Sequence, residues 1–259
     1  MKVIILGTGT SQGVPMIAQN SCSIDWKNKK NWRTRSSVHV IMDGLHIQVV
    51  ATPEFRLQCL HNEITWIDIF ILTQGHADYI AGMDDLRRFC DLKGWQALPV
   101  YSTSEGLSRI QSMYPYAILE KPKSKDYPAF SLATMTSRWD LYQGIIECTL
   151  LEHGDTNTLG LVFIEKSSGK KFPYYTDCKT VYPHQREQAK NSDILFLDAL
   201  GFQSHRSHLS IDEAITIAKK IGAKNTYLTH LSWELDHQVV ENYLPNGIHV
   251  GYDGLTLKL

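Results

Sequence analysis

Thr73-Gln74-Gly75-His76-Ala77-Asp78-Tyr79 directly follows an apolar run at residues 67–72. The run has the length and composition of a buried strand. A loop that follows a strand and carries His and Asp at alternate positions is a common way to present ligands to a metal ion. The stretch therefore predicts a metal site at the end of this strand, with His76 and Asp78 as candidate ligands.

The same arrangement, an apolar strand followed by a polar side chain, recurs further along the chain. His153, Asp177 and His230 each lie within two residues of the end of an apolar run. Ligands from separate strand ends can converge at one edge of a sheet and bind one metal ion. A single His after a strand is more often a hydrogen-bonded polar residue than a ligand, so the set as a whole indicates the metal centre. Asp193 and Asp198 flank another strand and are interpreted as structural.

Composition and charge place the chain among ordinary globular proteins. Its 259 residues suffice for one large α/β domain, and 43% of them are hydrophobic and 20% charged. The formal net charge of −1 gives no electrostatic reason to expect nucleic acid or a membrane surface as a partner. No apolar run has the length of a membrane span, and the apolar N-terminus lacks a signal cleavage site, so it is interpreted as a first strand. The five scattered cysteines lack a C-x-x-C pair, which predicts reduced thiols and a cytoplasmic protein.

Turn and cap signals predict the order of the elements. Asp43-Gly44 between two apolar runs indicates a hairpin, and residues 83–92 predict a helix. Ser210 and Glu213 form a capping box at the start of a predicted helix over residues 210–221. Early hairpins, followed by strands that alternate with helices, favour two sheets covered by helices over a single Rossmann sheet. We therefore predict one domain over residues 1–259.

Further motifs stand in a definite order around these residues. They are Leu6-Gly7-Thr8-Gly9-Thr10-Ser11-Gln12-Gly13-Val14-Pro15, Arg33-Thr34-Arg35-Ser36-Ser37, Met83-Asp84-Asp85-Leu86-Arg87, Glu152-His153-Gly154, Tyr175-Thr176-Asp177, His205-x-x-His208-Leu209-Ser210, Thr229-His230 and Tyr252-Asp253-Gly254-Leu255. Together with residues 73–79, which resemble an H-x-H-x-D-H signature, this series resembles the metallo-β-lactamase superfamily. The resemblance is to the branch of the PhnP-like phosphodiesterases and, more distantly, the tRNA 3′-processing endonuclease RNase Z, and it spans essentially the whole chain. It implies an α/β fold, the four-layer αββα metallo-β-lactamase sandwich, with two metal ions such as zinc or manganese and hydrolysis of phosphodiesters.

The resemblance also implies roles for individual residues. The implied ligands are Gln74, His76 and His153 at the first metal position, Asp78, Tyr79 and His230 at the second, and Asp177 as a bridge between the two. His208 resembles the family residue placed near the scissile phosphate, where it could donate a proton to the leaving group. The alternative for His208 is a surface-loop residue beside the helix cap at Ser210.

Departures from the family pattern fall on both metal positions. Gln74 offers a neutral oxygen where the family has an imidazole nitrogen. Tyr79, also in place of a His, would bind a metal only as a phenolate, which is costly because the ordinary pKa of tyrosine is about 10. Ala51 stands where the family usually has an Asp that supports the ligand loop. Each position thus loses one nitrogen ligand, whereas the bridging Asp177 is retained.

The remaining residues still allow one ion to bind. His76, His153 and Asp177 form a set of two imidazoles and one carboxylate, which is enough for one divalent ion with open positions. Asp78, Asp177 and His230 could instead hold one ion on the other side of the carboxylate. The sequence leaves two alternatives open: the protein binds one zinc or manganese ion, or it binds no metal.

Two functions compete for this site. The first is a metal-dependent hydrolase of the phosphodiesterase type, with Asp78 and His208 as candidate catalytic residues and a small phosphodiester or phosphorylated compound as substrate. The second is a non-catalytic binding or partner protein on the same fold, because substitutions fall on both metal positions. The sequence leaves the formation of a homodimer and the physiological partner open.

Overall fold

A computed structural model describes residues 1–19 and 22–259, and two seven-stranded sheets account for the strands of this described part. The first sheet is formed by β1 (Lys2–Gly7), β2 (Ser37–Met42), β3 (Leu45–Val49), β4 (Ile69–Ile71), β5 (Leu98–Ser102), β6 (Phe130–Thr134) and β14 (Thr256–Lys258). Their order across the sheet is β14-β1-β2-β3-β4-β5-β6. The pairs from β14 to β3 are antiparallel and those from β3 to β6 are parallel, so the sheet is mixed.

The second sheet is mixed in the same way. It is formed by β7 (Arg138–Asp140), β8 (Gly144–His153), β9 (Thr156–Glu165), β10 (Lys171–Tyr175), β11 (Ile194–Asp198), β12 (Asn225–Thr229) and β13 (Ile248–Val250). The strands follow one another in the order β13-β12-β11-β10-β9-β8-β7. Strands β7 to β10 pair antiparallel, and β10 to β13 pair parallel.

Helices flank the two sheets. The α-helices of the described residues are α1 (Phe55–His61), α2 (Ala77–Ile80), α3 (Arg87–Leu92), α4 (Ser104–Met113), α5 (Pro183–Ala189), α6 (Ile211–Ile221) and α7 (His237–Tyr243), with short 3-10 helices at Lys29–Asn31, Met83–Leu86 and Pro115–Ala117. The four-layer αββα sandwich predicted from the sequence is confirmed. Within the described ranges, no helix has both the length and the apolar composition that crossing a bilayer requires.

Alternation along the strands builds two hydrophobic cores. In β11, Ile194 and Phe196 pack into the core shared by both sheets, whereas Leu195 and Leu197 face the opposite way and pack with Ala214 of α6. Successive side chains of a strand point to opposite faces, so a strand covered on both sides is apolar throughout. The second sheet is therefore fixed between the first sheet and the helices of the second half.

Local signals place several elements as expected. Asp43 and Gly44 have φ values of 45° and 81°, the left-handed pair that a tight hairpin turn between β2 and β3 requires. The Ser210 side chain accepts from the Glu213 amide, and the Glu213 carboxylate accepts from the Ser210 amide, which confirms the capping box of α6. The continuous helix predicted over residues 83–92 is wrong, because a 3-10 helix precedes α3. Met83 and Leu86 are both fully buried three residues apart, and that spacing suits the threefold repeat of a 3-10 turn.

Candidate metal centre

The topology brings the predicted site residues to one edge of the sandwich. The loop with Gln74 and His76 follows β4, and His153 is the last residue of β8. Asp177 and His230 follow β10 and β12, two strands that both run parallel to β11 and therefore end at the same edge. Asp177 and His230 have φ values of 55° and 61°. The left-handed region is uncommon outside glycine, and such strain is found where the surrounding structure holds a functional side chain in place.

His76, His153 and Asp177 form the first group that could hold a metal ion. One ligand atom from each residue lies within 4.8 Å of the others. His153 Nδ1 lies 3.2 Å from the Ser207 carbonyl oxygen, to which it donates, and His153 Nε2 lies 3.9 Å from Asp177 Oδ2. Burial lowers the pKa of His153, so the imidazole stays neutral and its Nε2 lone pair points toward the carboxylate. A hydrogen bond from the distal nitrogen to a carbonyl is the usual way in which a metal-binding His is oriented.

Gln74 keeps contact with this group despite the loss of the imidazole. Its side chain is 4% exposed, and its amide nitrogen donates to Asp177 Oδ2. Rotation of the amide by half a turn would present the oxygen instead, which is the only metal-binding atom that glutamine has. Two imidazoles, a carboxylate and a neutral oxygen therefore fit one divalent ion at this position.

Tyr79 does not fit the second metal position. The ring is 1% exposed, and within the described part of the chain its hydroxyl has no hydrogen-bond partner. Burial, and next the negative charge of Asp177, raise the pKa of Tyr79 well above its ordinary value. The side chain is therefore a neutral phenol, and a neutral phenol is a poor ligand for a divalent ion.

His230 forms an ion pair with Asp177 at the same position. His230 Nε2 lies 2.7 Å from Asp177 Oδ1, and both side chains are buried. Burial disfavours the charged imidazole, but the charge and the hydrogen bond of Asp177 outweigh it and raise the pKa of His230 to about 9. Burial likewise opposes the charge of Asp177, and His230 reverses the effect and holds the pKa of that carboxyl low. Asp78 is half-buried, and burial and then the charge of Asp177 raise the pKa of its carboxyl.

Asp198, which the sequence suggested was structural, belongs to the site. It is fully buried, and its Oδ2 lies 3.0 Å from His208 Nδ1 and 3.0 Å from the Cys178 amide nitrogen that donates to it. Its Oδ1 lies 3.6 Å from His230 Nδ1. The available signal was its position at the end of β11, the same pattern that identified Asp177 and His230. Asp193 is structural as predicted, since it accepts from the Lys171 amide and pairs with Lys170.

His208 is buried, not a surface-loop residue. The side chains of Asp177, Asp198, His208 and His230 form a second compact group, with one ligand atom each within 4.8 Å of the others. The rings of His208 and His230 are stacked, with centroids 4.5 Å apart and planes 15° apart. Imidazole binds metal through a lone pair in the plane of the ring, so two nearly parallel rings cannot both direct a lone pair at one ion between them. Asp198 Oδ1 and His230 Nδ1 have no hydrogen-bond partner among the described residues, so the group is not a closed hydrogen-bonded network, and its stacked rings do not suit the binding of one ion by both imidazoles.

Two cavities of about 290 Å³ each open beside these groups. One is lined by Gln74, Gly75, His76, Thr103, Glu105, Gly106, Arg109, Thr156 and Asn157. The other is lined by Thr10, Ser11, Gln12, Met16, Leu200, His205, His208, Ser232 and Trp233. The two candidate groups therefore lie next to space for a small molecule, in which hydroxyl, amide and imidazole groups are available.

Comparison with known proteins identifies the family. The beta-lactamase superfamily domain matches residues 42–231. An octanoyltransferase from Porphyromonas gingivalis is 32% identical over 264 residues, a match that covers 98% of this chain and 51% of the relative. The chain thus spans about half the length of that curated relative.

Solved structures narrow the branch. A diphosphatase from the PhnP family is 31% identical, with a TM-score of 0.89 over 100% of this chain and 97% of that one. Zn²⁺-bound PqqB from Methylobacterium extorquens has a TM-score of 0.79 at 20% identity, covering both chains completely. The short form of human tRNase Z has a TM-score of 0.72 at 18% identity, over 100% of this chain and 99% of that one, and like PqqB it shares the fold. The chain belongs to the metallo-β-lactamase superfamily, in its branch related to PhnP.

Proposed function

We propose that the protein is a metal-dependent hydrolase that cleaves a small phosphodiester or diphosphate with one divalent ion, zinc or manganese, at the metal centre. His76, His153 and Asp177 would hold the ion, with the oxygen of Gln74 as a weak additional ligand. The observation that carries the proposal is the convergence of two imidazoles and a carboxylate within 4.8 Å, with His153 oriented through its other nitrogen. The name of the PhnP-family relative, a diphosphatase, supports a substrate with a phosphoester or phosphoanhydride bond.

The residues around the ion supply the remaining chemistry. When bound, a divalent ion polarises a phosphoryl oxygen and makes water more acidic. Burial and then the charge of Asp177 raise the pKa of Asp78, which suits a carboxylate that accepts the proton of the attacking water. Asp198 accepts the Nδ1 proton of His208, so the proton that can be donated to the leaving oxygen in the cavity that His208 lines is a second one, which Nε2 carries in the imidazolium form. Asp198 acts as a positioning residue, because it fixes which nitrogen of His208 is free.

A competing function is a non-catalytic protein on the same fold. The observation that favours it is the closed pair of His230 and Asp177, beside a neutral Tyr79 where a second ion would bind. A carboxylate already neutralised by a protonated imidazole attracts a cation less strongly. The two functions differ in whether purified protein takes up metal.

Metal analysis combined with one variant separates the two functions. Protein purified without chelator should contain about one equivalent of zinc or manganese. His153→Ala should lose that metal and lower hydrolysis of bis(p-nitrophenyl) phosphate by more than the roughly 10- to 100-fold typical for loss of an outer-shell partner. His61→Ala, which removes an exposed imidazole at the end of α1, is the matched control and should change neither quantity.

The opposite result is equally informative. Protein that contains no transition metal and takes up none at micromolar zinc or manganese would rule out the hydrolase and leave the non-catalytic function. Hydrolysis that persists in His153→Ala would show that the activity does not depend on this site.

A further inference from the structure

Three sequence motifs have no part in the proposed function, and the structure joins them at one carboxylate. They are the motifs at residues 6–15, 33–37 and 252–255. Asp253 Oδ1 accepts from the amide of Thr8 at 2.9 Å and from its hydroxyl at 2.8 Å. Asp253 Oδ2 accepts from the amide of Thr34 at 2.7 Å and from its hydroxyl at 2.6 Å. Hydrogen bonds to a carboxylate are the strong ones, so Asp253 ties two distant segments firmly together.

Thr8 connects this carboxylate to the peptide that follows His230. The Leu231 amide donates to the Thr8 carbonyl at 2.9 Å, and the Thr10 amide donates to the Leu231 carbonyl at 3.1 Å. His230 itself has a φ of 61°, a conformation that persists only where the surrounding structure holds it. Asp253 therefore acts, through Thr8, on the backbone that carries His230.

The segment at Thr34 holds the loop after β1 from the other side. The Gly9 amide donates to the Thr34 carbonyl at 2.8 Å, and Arg35 Nε donates to the Ser11 carbonyl at 2.7 Å. A Cβ atom at residue 9 would lie 2.7 Å from the Arg33 carbonyl oxygen, closer than real Cβ atoms come. Glycine thus permits the close approach, and the loop is fixed between two segments that Asp253 joins.

The loop held in this way forms a wall of the cavity beside His208. Residues 10–12 line that cavity together with His208 and Ser232. Among the described residues that line it, Asp253 does not appear. The carboxylate can therefore act on the cavity only through the loop.

We propose that Asp253 is a positioning residue, which holds the loop after β1 and the peptide after His230 in the geometry that cleavage requires. The proposal rests on the proposed function, because the wall that Asp253 fixes faces the imidazole of His208, the group that protonates the leaving oxygen. A displacement of about 1 Å from a change far from the chemistry can lower a rate about 100-fold. Loss of this carboxylate should therefore act on turnover, although Asp253 touches no substrate.

Asp253→Asn tests this role with the smallest change of shape. Its amide nitrogen is a donor where the carboxylate accepts, so the loop loses part of its attachment. With bis(p-nitrophenyl) phosphate, kcat should fall by about 10- to 100-fold with little change in KM. Metal content should stay at the wild-type level, because the three ligands of the ion lie outside the segments that Asp253 joins.

Asp193→Asn is the matched control. The Asp193 carboxylate also accepts from a backbone amide and a second donor, those of Lys171 and Lys170, but it lies just before β11, at the far end of that strand from Asp198. The control variant should lower stability and leave both kcat and KM unchanged. A purely structural role of Asp253 would give this same pattern.

Two variants of Thr8 decide the question even if Asp253→Asn does not fold. Thr8→Val removes the hydroxyl and keeps the amide, so kcat should fall in the same direction but by less. Thr8→Ser keeps both donors and should retain most of the wild-type kcat. When Asp253→Asn does fold, Thr8→Val should have a smaller effect in that variant than in the wild type, because the two residues act through one contact.

Hydrogen exchange measures the position of the loop without turnover. The amides of Thr10 and Leu231 are bonded across the loop, and the amide of Leu98 is bonded to the Ala129 carbonyl in the first sheet. Asp253→Asn should speed exchange at Thr10 and Leu231 by about 10-fold or more and leave Leu98 unchanged. Exchange that is unchanged at all three amides would overturn the proposal.

The outcomes separate this proposal from the proposed function. If the wild type hydrolyses the phosphodiester and Asp253→Asn keeps the wild-type kcat, the positioning role is overturned and the hydrolase stands. If the wild type hydrolyses nothing, the proposed function fails and the exchange rates decide. Faster exchange confined to Thr10 and Leu231 would then support the positioning of the loop by Asp253, and an equal change at Leu98 would overturn it.

Discussion

Gln74 and Tyr79 both stand in place of an imidazole, but their physical consequences differ. Gln74 is polar and still contacts the bridging Asp177, so the first position keeps a connected set of groups. Tyr79 is a neutral phenol, completely buried, whose hydroxyl has no partner among the described residues. An unsatisfied buried hydroxyl costs about 1–3 kcal/mol, which a pure packing residue would avoid. The second position is thus filled by a neutral phenol, which is a poor metal ligand and has no hydrogen-bond partner within the described ranges.

Restoring both imidazoles should restore the second ion. We expect the double variant Gln74→His with Tyr79→His to bind about two equivalents of zinc or manganese where the wild type binds about one, because residue 79 would then offer a nitrogen ligand beside Asp78, Asp177 and His230. Metal content after dialysis is the measurement. Tyr79→Phe is the control, and it should keep the wild-type stoichiometry and be no less stable, since it removes an unpaired hydroxyl. A double variant that still binds one ion would mean that the second position has closed around the His230–Asp177 pair.

The candidate ligands could be found from sequence because each follows an apolar strand. His76, His153, Asp177 and His230 all obey that rule, and the parallel order of β10, β11 and β12 brings the last two to one edge. Asp198 obeys it too, but nothing in the sequence shows that its carboxylate meets His208 from a residue ten positions later. Pairing of this kind depends on how the loop between them folds back. Arg109, which lines the cavity beside the motif loop, was missed because α4 itself was not predicted.

At the scale of single elements, the capping box of α6 links stability to the site. Ser210 starts the helix two residues after His208, so the cap also fixes the end of the loop that carries that imidazole. Ser210→Ala should lower the free energy of unfolding by about 1 kcal/mol, because the Glu213 amide loses its acceptor. Urea unfolding followed by circular dichroism is the measurement. Thr216→Ala in the middle of the same helix is the control and should not destabilise, since alanine is the better helix former; equal losses in both variants would contradict a role for the cap.

Elements with strong local signals were predictable, and elements defined by packing were not. The Asp43-Gly44 turn and the Ser210 cap depend on neighbouring residues alone. The 3-10 helix Met83–Leu86 arises because two buried side chains must face the core three residues apart, which the sequence does not distinguish from an α-helix. Helix α4 begins at the polar segment Thr103-Ser104-Glu105-Gly106, where glycine conceals an otherwise helical pattern.

For the whole molecule, His39, which is buried inside the first sheet, should contribute a loss of stability as the pH falls below neutral. His39 is fully buried on β2, with Nδ1 3.1 Å from Gln48 Oε1 and Nε2 3.0 Å from His46 Nδ1. Burial, and next the neighbouring His46, lower the pKa of His39 from 6.5 to about 3. Between pH 6.5 and about pH 3, His39 binds a proton in the unfolded chain but not in the folded protein. Its contribution to the free energy of unfolding is therefore complete above the pKa of the unfolded chain, and it is lost as the pH falls toward the pKa of the folded protein. The loss from His39 alone between about pH 7 and about pH 5 is about 2 kcal/mol.

The variant His39→Gln isolates this contribution. Its free energy of unfolding should change less than that of the wild type between the same two pH values, as measured by urea unfolding. Asp253 acts in the opposite direction, since burial raises its pKa to about 6 and its contribution is lost as the pH rises from the ordinary value of 3.8. The comparison of wild type and variant cancels Asp253 because both proteins contain it. Identical pH dependence in the two proteins would mean that His39 takes up its proton normally in the folded state.

The fold as a whole could be predicted from the sequence. Its motifs follow one another in a definite order, and burial on both faces makes the central strands apolar. The position of β14 could not be predicted, because residues 256–258 form only a short run of alternating polar and apolar residues.

That last strand governs how the first sheet is completed during synthesis. β14 pairs with β1 through Lys2 and Lys258, and the Ile5 amide donates to the Leu255 carbonyl at 2.9 Å. As the chain emerges from the ribosome, β1 can pair with β2 at once but must wait for some two hundred further residues before its other side is covered. During that interval β1 is an open edge that can pair with another nascent chain. The residues after Tyr252 therefore cover the open edge of β1 when β14 pairs with it. Their loss would favour aggregation during translation even though they lie outside the metal centre.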